Sequence, residues 1–226
     1  MADKDRERMY AETAARLLGY EWQLVEIPEP VDFEVRTPEA RFGLEIRQVF
    51  ADAETPFGSP AKRKENENQK ISATLANLYI SQGGRPATVK LLGNLCSVSK
   101  ETLIRETIAH CPTEAGDRRR FQLEGLTVHL SALPHGHEPR TKWDYVNDRV
   151  GWLRDATNEE LQHAIDHKID RLPLYKQKYD RIELLLIADR MFNSGRMRVA
   201  DKLEVSNPWF DAIYLLSYPD SAMRVA

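Results

Sequence analysis

The 226-residue chain has only two cysteines, Cys96 and Cys111, and they form no CxxC pair. That excludes a cysteine-ligated zinc module and a disulfide framework, and points to two free thiols in an intracellular protein. Long apolar runs are missing as well. None approaches the roughly 20 residues needed to cross a bilayer, and the start MADKDRERMYAET is charged from residue 3, without a signal-peptide apolar segment. The expected location is the cytoplasm, with no membrane partner. A net excess of positive charge is missing too: the formal net charge is −3, so a nucleic-acid partner needs a local basic patch. There is no GxGxxG, Walker-type loop, G-x-S-x-G elbow, zinc-finger spacing, basic helix-turn-helix or aromatic RNP strand. Nor is there a Gly/Ser-rich linker, low-complexity tract or internal repeat, so one α/β domain over 1–226 is expected. With 42% hydrophobic and 30% charged residues, the chain can bury a full core and is not a disordered sequence.

What is present is a series of well-punctuated periodic segments. Residues 3–19 read as a helix with Met9, Ala14, Leu17 and Leu18 on its apolar face and Gly19 as its stop. WQLVEIPEP is extended, because Pro28 and Pro30 prevent helix. VDFEVRT and RFGLEIRQVF alternate with period two, Val31, Phe33 and Val35 on one face and Phe42, Leu44 and Ile46 likewise. A loop containing TPFGSP leads to a helix from about Pro60 with the stripe Ala61, Lys64, Asn68, Ile71, Leu75, Leu78, ended by GGRP. ATVKLLG is a strand, and SKETLIRETIAHC a helix capped by Ser99. FQLEGLTVHLSAL reads as a strand bulged at Gly125, and PHGHEPRTKWDY as a loop. A capping box, Thr157 to Glu160, opens a helix to about Leu172, where Pro173 ends or kinks it. RIELLLIAD and FDAIYLLSY have the continuous apolar character of buried strands. This order predicts an α/β fold with a mixed central β-sheet flanked by helices.

The charges of the hairpin at 31–50 stand out. Asp32 opens its first strand, Glu45 interrupts the second, and Arg47 follows at the two-residue spacing that shares a face. Two carboxylates on paired strands bring hard oxygen donors together, to which Ile46 can add its backbone carbonyl, and a neighbouring cation can stabilise phosphate charge. Those are the needs of a metal-dependent phosphodiesterase. The same residues also read as the wet face of an antiparallel hairpin, with Glu34, Arg36 and Glu39 beside them. Against that reading, a sheet covered on both faces does not hold Glu45 without a reason. Arg47 can equally serve as an ion-pair partner of Glu45 or Asp32. Lys168 lies on the stripe Leu161, Ala164, Leu172, Tyr175, as Lys64 lies on its own, and each either snorkels or reaches a site. GDRRRF reads as a solvated basic turn or a phosphate patch. His135-x-His137 has no second ligand pair nearby.

The order helix, acid-bearing strand, Glu-x-cation strand, helix, strand resembles the PD-(D/E)XK nuclease superfamily, with PVDF as first motif and GLEIR as second. The closing pair YDRIELLLIAD and FDAIYLLSY adds to the resemblance. It implies a restriction-endonuclease-like fold and a Mg²⁺- or Mn²⁺-dependent endonuclease acting on DNA, with a homodimer allowed. The implied metal ligands are Asp32, Glu45 and the Ile46 carbonyl, with Glu12 of the first helix as a further one. Two features depart from the pattern: Val31 separates Pro30 from Asp32, and Arg47 replaces the second-motif lysine. Arginine stays protonated and is a poor group for trading a proton. The resemblance then implies a lysine displaced to the next helix, Lys64, giving the catalytic set Asp32, Glu45, Arg47 and Lys64. Lys62, Arg63 and Lys168 are the expected nucleic-acid contacts. The alternative, favoured by the missing lysine, is a nuclease fold without catalysis that acts as a nucleic-acid-binding or assembly module.

Overall fold

A chain so patterned sorts its apolar residues onto two sheets. The computed structural model describes residues 3–52, 59–137, 141–146, 153–200, 202–207 and 209–226. It divides into two compact units, 1–62 with 152–226, and 63–151. One domain is the sequence expectation for 1–226; each of the two units has a sheet and an apolar core of its own. In chain order the elements are α1 (Asp3–Leu18), β1 (Gln23–Val25), β2 (Phe33–Arg36), β3 (Arg41–Gln48), α2 (Pro60–Ser81), β4 (Ala87–Gly93) and α3 (Lys100–His110). They continue with β5 (Arg118–Leu123), β6 (Leu126–Ala132), β7 (Lys142–Val146), β8 (Arg154–Asp155), α4 (Asn158–Ile169) and α5 (Leu172–Tyr175). The last four are β9 (Ile182–Asp189), β10 (Met197–Arg198), β11 (Ala212–Tyr218) and β12 (Ser221–Arg224).

The first unit is a mixed α/β structure around a six-stranded sheet, order β1-β2-β3-β9-β11-β12. β3, β9 and β11 run parallel at its centre, with antiparallel strands on both sides. β9 is buried at all its positions because both faces are covered. On one face, Tyr10, Ala11 and Ala14 of α1 pack with Phe33, Leu44, Leu185 and Ile187. On the other, Leu161, Ala164 and Ile165 of α4 and Leu172 and Tyr175 of α5 pack with Leu184, Leu186 and Ile213. Helix boundaries follow local chemistry. Gly19 has φ +73° just past α1. In the capping box the Thr157 hydroxyl accepts from the Glu160 N–H at 3.3 Å, and the Glu160 carboxylate accepts from the Thr157 N–H at 3.0 Å. The helix stops at Ile169, and Pro173 sits in the first turn of α5.

The second unit has a four-stranded sheet, order β5-β6-β4-β7, antiparallel except for β4 with β7. Leu75 and Tyr79 of α2 and Leu103 and Ile104 of α3 pack with Val89, Leu91, Val128, Leu130 and Trp143 on one side of the strands. Three local expectations change here. FQLEGLTVHLSAL is a hairpin, not a bulged strand: Glu124 (φ +39°) and Gly125 (φ +84°) form a two-residue turn with both φ positive, the geometry that matches strand twist. Lys142–Val146, expected as loop, is β7, held by the burial of Trp143. The buried face of α2 is Asn68, Ser72, Leu75 and Tyr79, while Leu78 and Lys64 are exposed. Residues 53–58 of the TPFGSP loop and 138–140 of PHGHEPRTKWDY lie outside the described residues. Cys96 and Cys111 are free thiols. Among the described residues, no helix is long and apolar enough to cross a membrane.

Candidate functional site

The hairpin register places the acids. β2 begins at Phe33, opposite Leu44. Continued by two pairs, that antiparallel register would set Val31 against Ile46, but the ladder stops at Phe33 and a side chain takes over. The Ile46 N–H donates to Asp32 Oδ2 at 2.8 Å. A strand residue that pairs in an antiparallel ladder offers its N–H and C=O to the same edge, so the Ile46 carbonyl belongs to the Asp32 side of β3. The other carboxylate oxygen, Asp32 Oδ1, accepts from Lys4 Nζ of α1 at 2.9 Å. Burial works against the charge on Lys4, but the hydrogen bond to Asp32 and the negative charges of Asp32 and Glu7 outweigh it and raise its pKa.

Glu45 precedes Ile46 and therefore faces the opposite side of the sheet from Leu44 and Ile46, towards α4 and α5. It is 3% exposed, and Lys168 Nζ of α4 makes a close ion pair with its Oε1. Burial, and next the negative charge of Asp32, push the Glu45 carboxyl above the usual carboxylate range; Lys168 and Tyr175 act against that rise. The Tyr175 hydroxyl is in turn driven up, first by burial and then by the Glu45 charge, with a smaller push from Asp32. Fully buried, it makes no hydrogen bond of ordinary geometry. Asp32, Glu45, Lys168 and Tyr175 thus share one electrostatic environment. Its mark is a buried carboxylate, Glu45, whose ionisation is opposed by burial and by the charge of Asp32.

The remaining sequence candidates fall elsewhere. Arg47 is partly exposed, two residues beyond Glu45 on the same strand face. Glu12 is exposed on α1, between the buried Ala11 and Ala14, and it is Lys4 of that helix that meets Asp32. Lys62 lies in the first unit with its ammonium 3.8 Å from the centre of the Phe192 ring, a cation–π contact. Arg63 and Lys64 belong to the second unit and are exposed. Lys168, expected to contact nucleic acid, reaches Glu45 instead of lying on a solvent face. Lys4 has no local signal in the sequence, being 28 residues from its partner. Tyr175 had one, since it closes the apolar stripe that also carries Lys168.

The candidate donors are all oxygens: the Asp32 carboxylate and the Ile46 carbonyl on the β2 side of β3, and the Glu45 carboxylate, which feels the charge of Asp32. That set suits a hard divalent cation of the Mg²⁺ type, which takes one or two protein carboxylates and completes its shell with water or substrate oxygens. It does not suit zinc, which prefers nitrogen and sulfur. Among the described residues no group of three or more His, Cys, Asp or Glu stands together as a metal-holding cluster, and Glu12 and His135 are exposed. Compared with known protein families, characterised proteins and solved structures, the chain matches none.

Proposed function

We propose that the first unit is a restriction-endonuclease-like domain that hydrolyses phosphodiester bonds of DNA with the help of Mg²⁺ or Mn²⁺. The observation that carries the reading is the buried Glu45 on a central strand, in the field of Asp32 and paired with Lys168. Burying a carboxylate beside another costs stability, and a site for a cation explains why both are there. Asp32, Glu45 and the Ile46 carbonyl would hold the ion, which supplies Lewis acidity towards a phosphate oxygen. Lys168 and Arg47 contribute positive charge on the Glu45 face of β3, where charge building up on phosphorus oxygens is stabilised. Lys168 thereby takes the part for which Lys64 is the sequence candidate. The test is nicking of supercoiled plasmid with Mg²⁺ or Mn²⁺. Glu45→Ala and Asp32→Ala should each lower the rate by about 10³-fold or more while circular dichroism stays that of the wild type. Undiminished cleavage by clean Glu45→Ala protein removes the reading.

A second reading is a nuclease fold that binds nucleic acid or partners without catalysis. It is favoured by one observation: each carboxylate already has a lysine, Lys4 for Asp32 and Lys168 for Glu45, so the site is charge-balanced without a metal. Calorimetric titration separates the two. Mg²⁺ or Mn²⁺ binding that disappears in Asp32→Asn supports the enzyme, and DNA binding with no metal response supports the module.

A further inference from the structure

The unit that holds the acid pair is the wrong one to attract a polyanion. Residues 1–62 with 152–226 contain 19 basic and 25 acidic residues, net −6, whereas residues 63–151 contain 13 and 10, net +3. The cations of the second unit are concentrated on one sheet face. In register, Arg120, His129, Lys90 and Asp144 form one row across β5, β6, β4 and β7, and Arg118, Ser131, Thr88 and Lys142 form the next. The other side of the same strands is the apolar side under α2 and α3, so these rows face away from the core. Arg118, Arg120, Lys90 and Lys142 are all exposed. Against four cations the face has one acid, Asp144, 3.0 Å from Lys142. Among the described residues Arg118, Arg120 and Lys90 make no ion pair.

We propose that this open face of the second sheet is a binding surface for the phosphate backbone of duplex DNA. The identity of the polyanion rests on the nuclease reading; the surface itself does not depend on catalysis. Neighbouring strands are about 4.8 Å apart, and residues two apart on a strand about 6.8 Å. Two rows of cations thus form a broad positive field, not a single anion pocket. Ser131 and Thr88 stand between Arg118 and Lys142 as neutral donors of the kind that bond phosphate oxygens. Among the described residues the face carries no Phe, Tyr or Trp and the His129 imidazole is its one ring, so it offers no run of aromatic platforms of the kind single strands stack on. Recognition is therefore of the duplex backbone, without base sequence.

The test is fluorescence anisotropy of a short labelled duplex in EDTA, where cleavage is off. Arg118→Gln/Arg120→Gln should weaken binding and lower the slope of log K against log salt by about 2, one for each lost phosphate contact. Arg118→Glu/Arg120→Glu should weaken it by at least about ten-fold at low salt. Lys100→Glu/Arg105→Glu on the exposed side of α3 makes the same charge change as a control and should leave most of the affinity. Overturning results are wild-type protein that does not bind the duplex, sheet-face variants that bind as well as wild type, or a control that loses as much. Labelled poly-L-glutamate bound as tightly as the duplex would overturn the assignment to DNA. Glu45→Ala keeps the two ideas apart: it should bind the duplex as wild type does, whether or not cleavage is lost.

Discussion

The two units handle charge in opposite ways. The first covers its sheet with helices on both faces and buries four acids, Glu34, Glu45, Glu183 and Asp189. Each has a partner: Arg36 and Tyr179 for Glu34, Lys168 for Glu45, Arg181 for Glu183 and the Tyr10 hydroxyl for Asp189. The second covers one face of its sheet and, among the described residues, buries no charged side chain. Its cations stand in water, where an ion pair adds little. A carboxylate inside a three-layer unit is therefore a costly feature that must be matched, and a cation on an open sheet is a cheap one. This is why Glu45 reads as a site and Arg118 as part of a field.

The comparison breaks most sharply at Lys168. Lys168→Met leaves Glu45 buried and unpaired, and should lower unfolding free energy in urea by about 3–5 kcal/mol near pH 8. Glu45 has a folded-state pKa raised above its ordinary value, so its burial costs stability above that pKa. The cost fades as pH falls through the raised value towards about 4.3, where the group is protonated in both states. The deficit of Lys168→Met should thus shrink in acid; a pH-independent deficit would mean that Lys168 acts through packing alone.

A smaller effect is expected at Glu34. Its carboxyl lies below the usual range, held there chiefly by the hydrogen bond from Arg36 Nε at 2.8 Å and also by the Tyr179 hydroxyl at 2.9 Å, against the effect of burial. Tyr179, pushed up to about 12 first by burial and then by Glu34, stays a donor across the ordinary pH range. Tyr179→Phe should cost about 1 kcal/mol at neutral pH. Because a lowered folded pKa adds stability above the ordinary carboxylate value and loses it as pH falls through the lowered one, this loss should also fade in acid. Equal loss at neutral pH and well below the Glu34 transition would assign it to the ring instead of the hydroxyl. The smallest effect belongs to the open face: Arg118→Gln/Arg120→Gln should move stability by less than about 0.5 kcal/mol, as read from the urea midpoint. A larger change would mean that these arginines hold the sheet together.

The elements most legible in the sequence were those specified by neighbours in the chain. The capping box at Thr157, the stop at Gly19 and the buried run of β9 all appear where local chemistry puts them. β7 was not legible because Lys142, Asp144 and Val146 face solvent or lie half-buried, and only the pairing of Trp143 with distant β4 supplies the apolar half of the pattern. Gly125 showed that something irregular occurs, but both φ values at 124 and 125 are needed to tell a turn from a bulge. In the candidate site, Asp32 and Glu45 were legible from the alternation of the hairpin. The cation was not: Lys64 and Lys168 lie on apolar stripes of equal appearance, one exposed and the other 123 residues from the acid it meets.

The sequence by itself determined where helices begin and end, which strands are buried, and that two acids fall on one hairpin. These are consequences of capping, backbone restriction and the period of apolar residues, each set within a few positions. Only the tertiary structure decided which lysine neutralises which acid, which strands lie side by side, and that one sheet is covered twice while the other stays open. Those outcomes depend on contacts between segments far apart in the chain. Their energies are set by burial and by the charges met there, neither of which a local pattern contains.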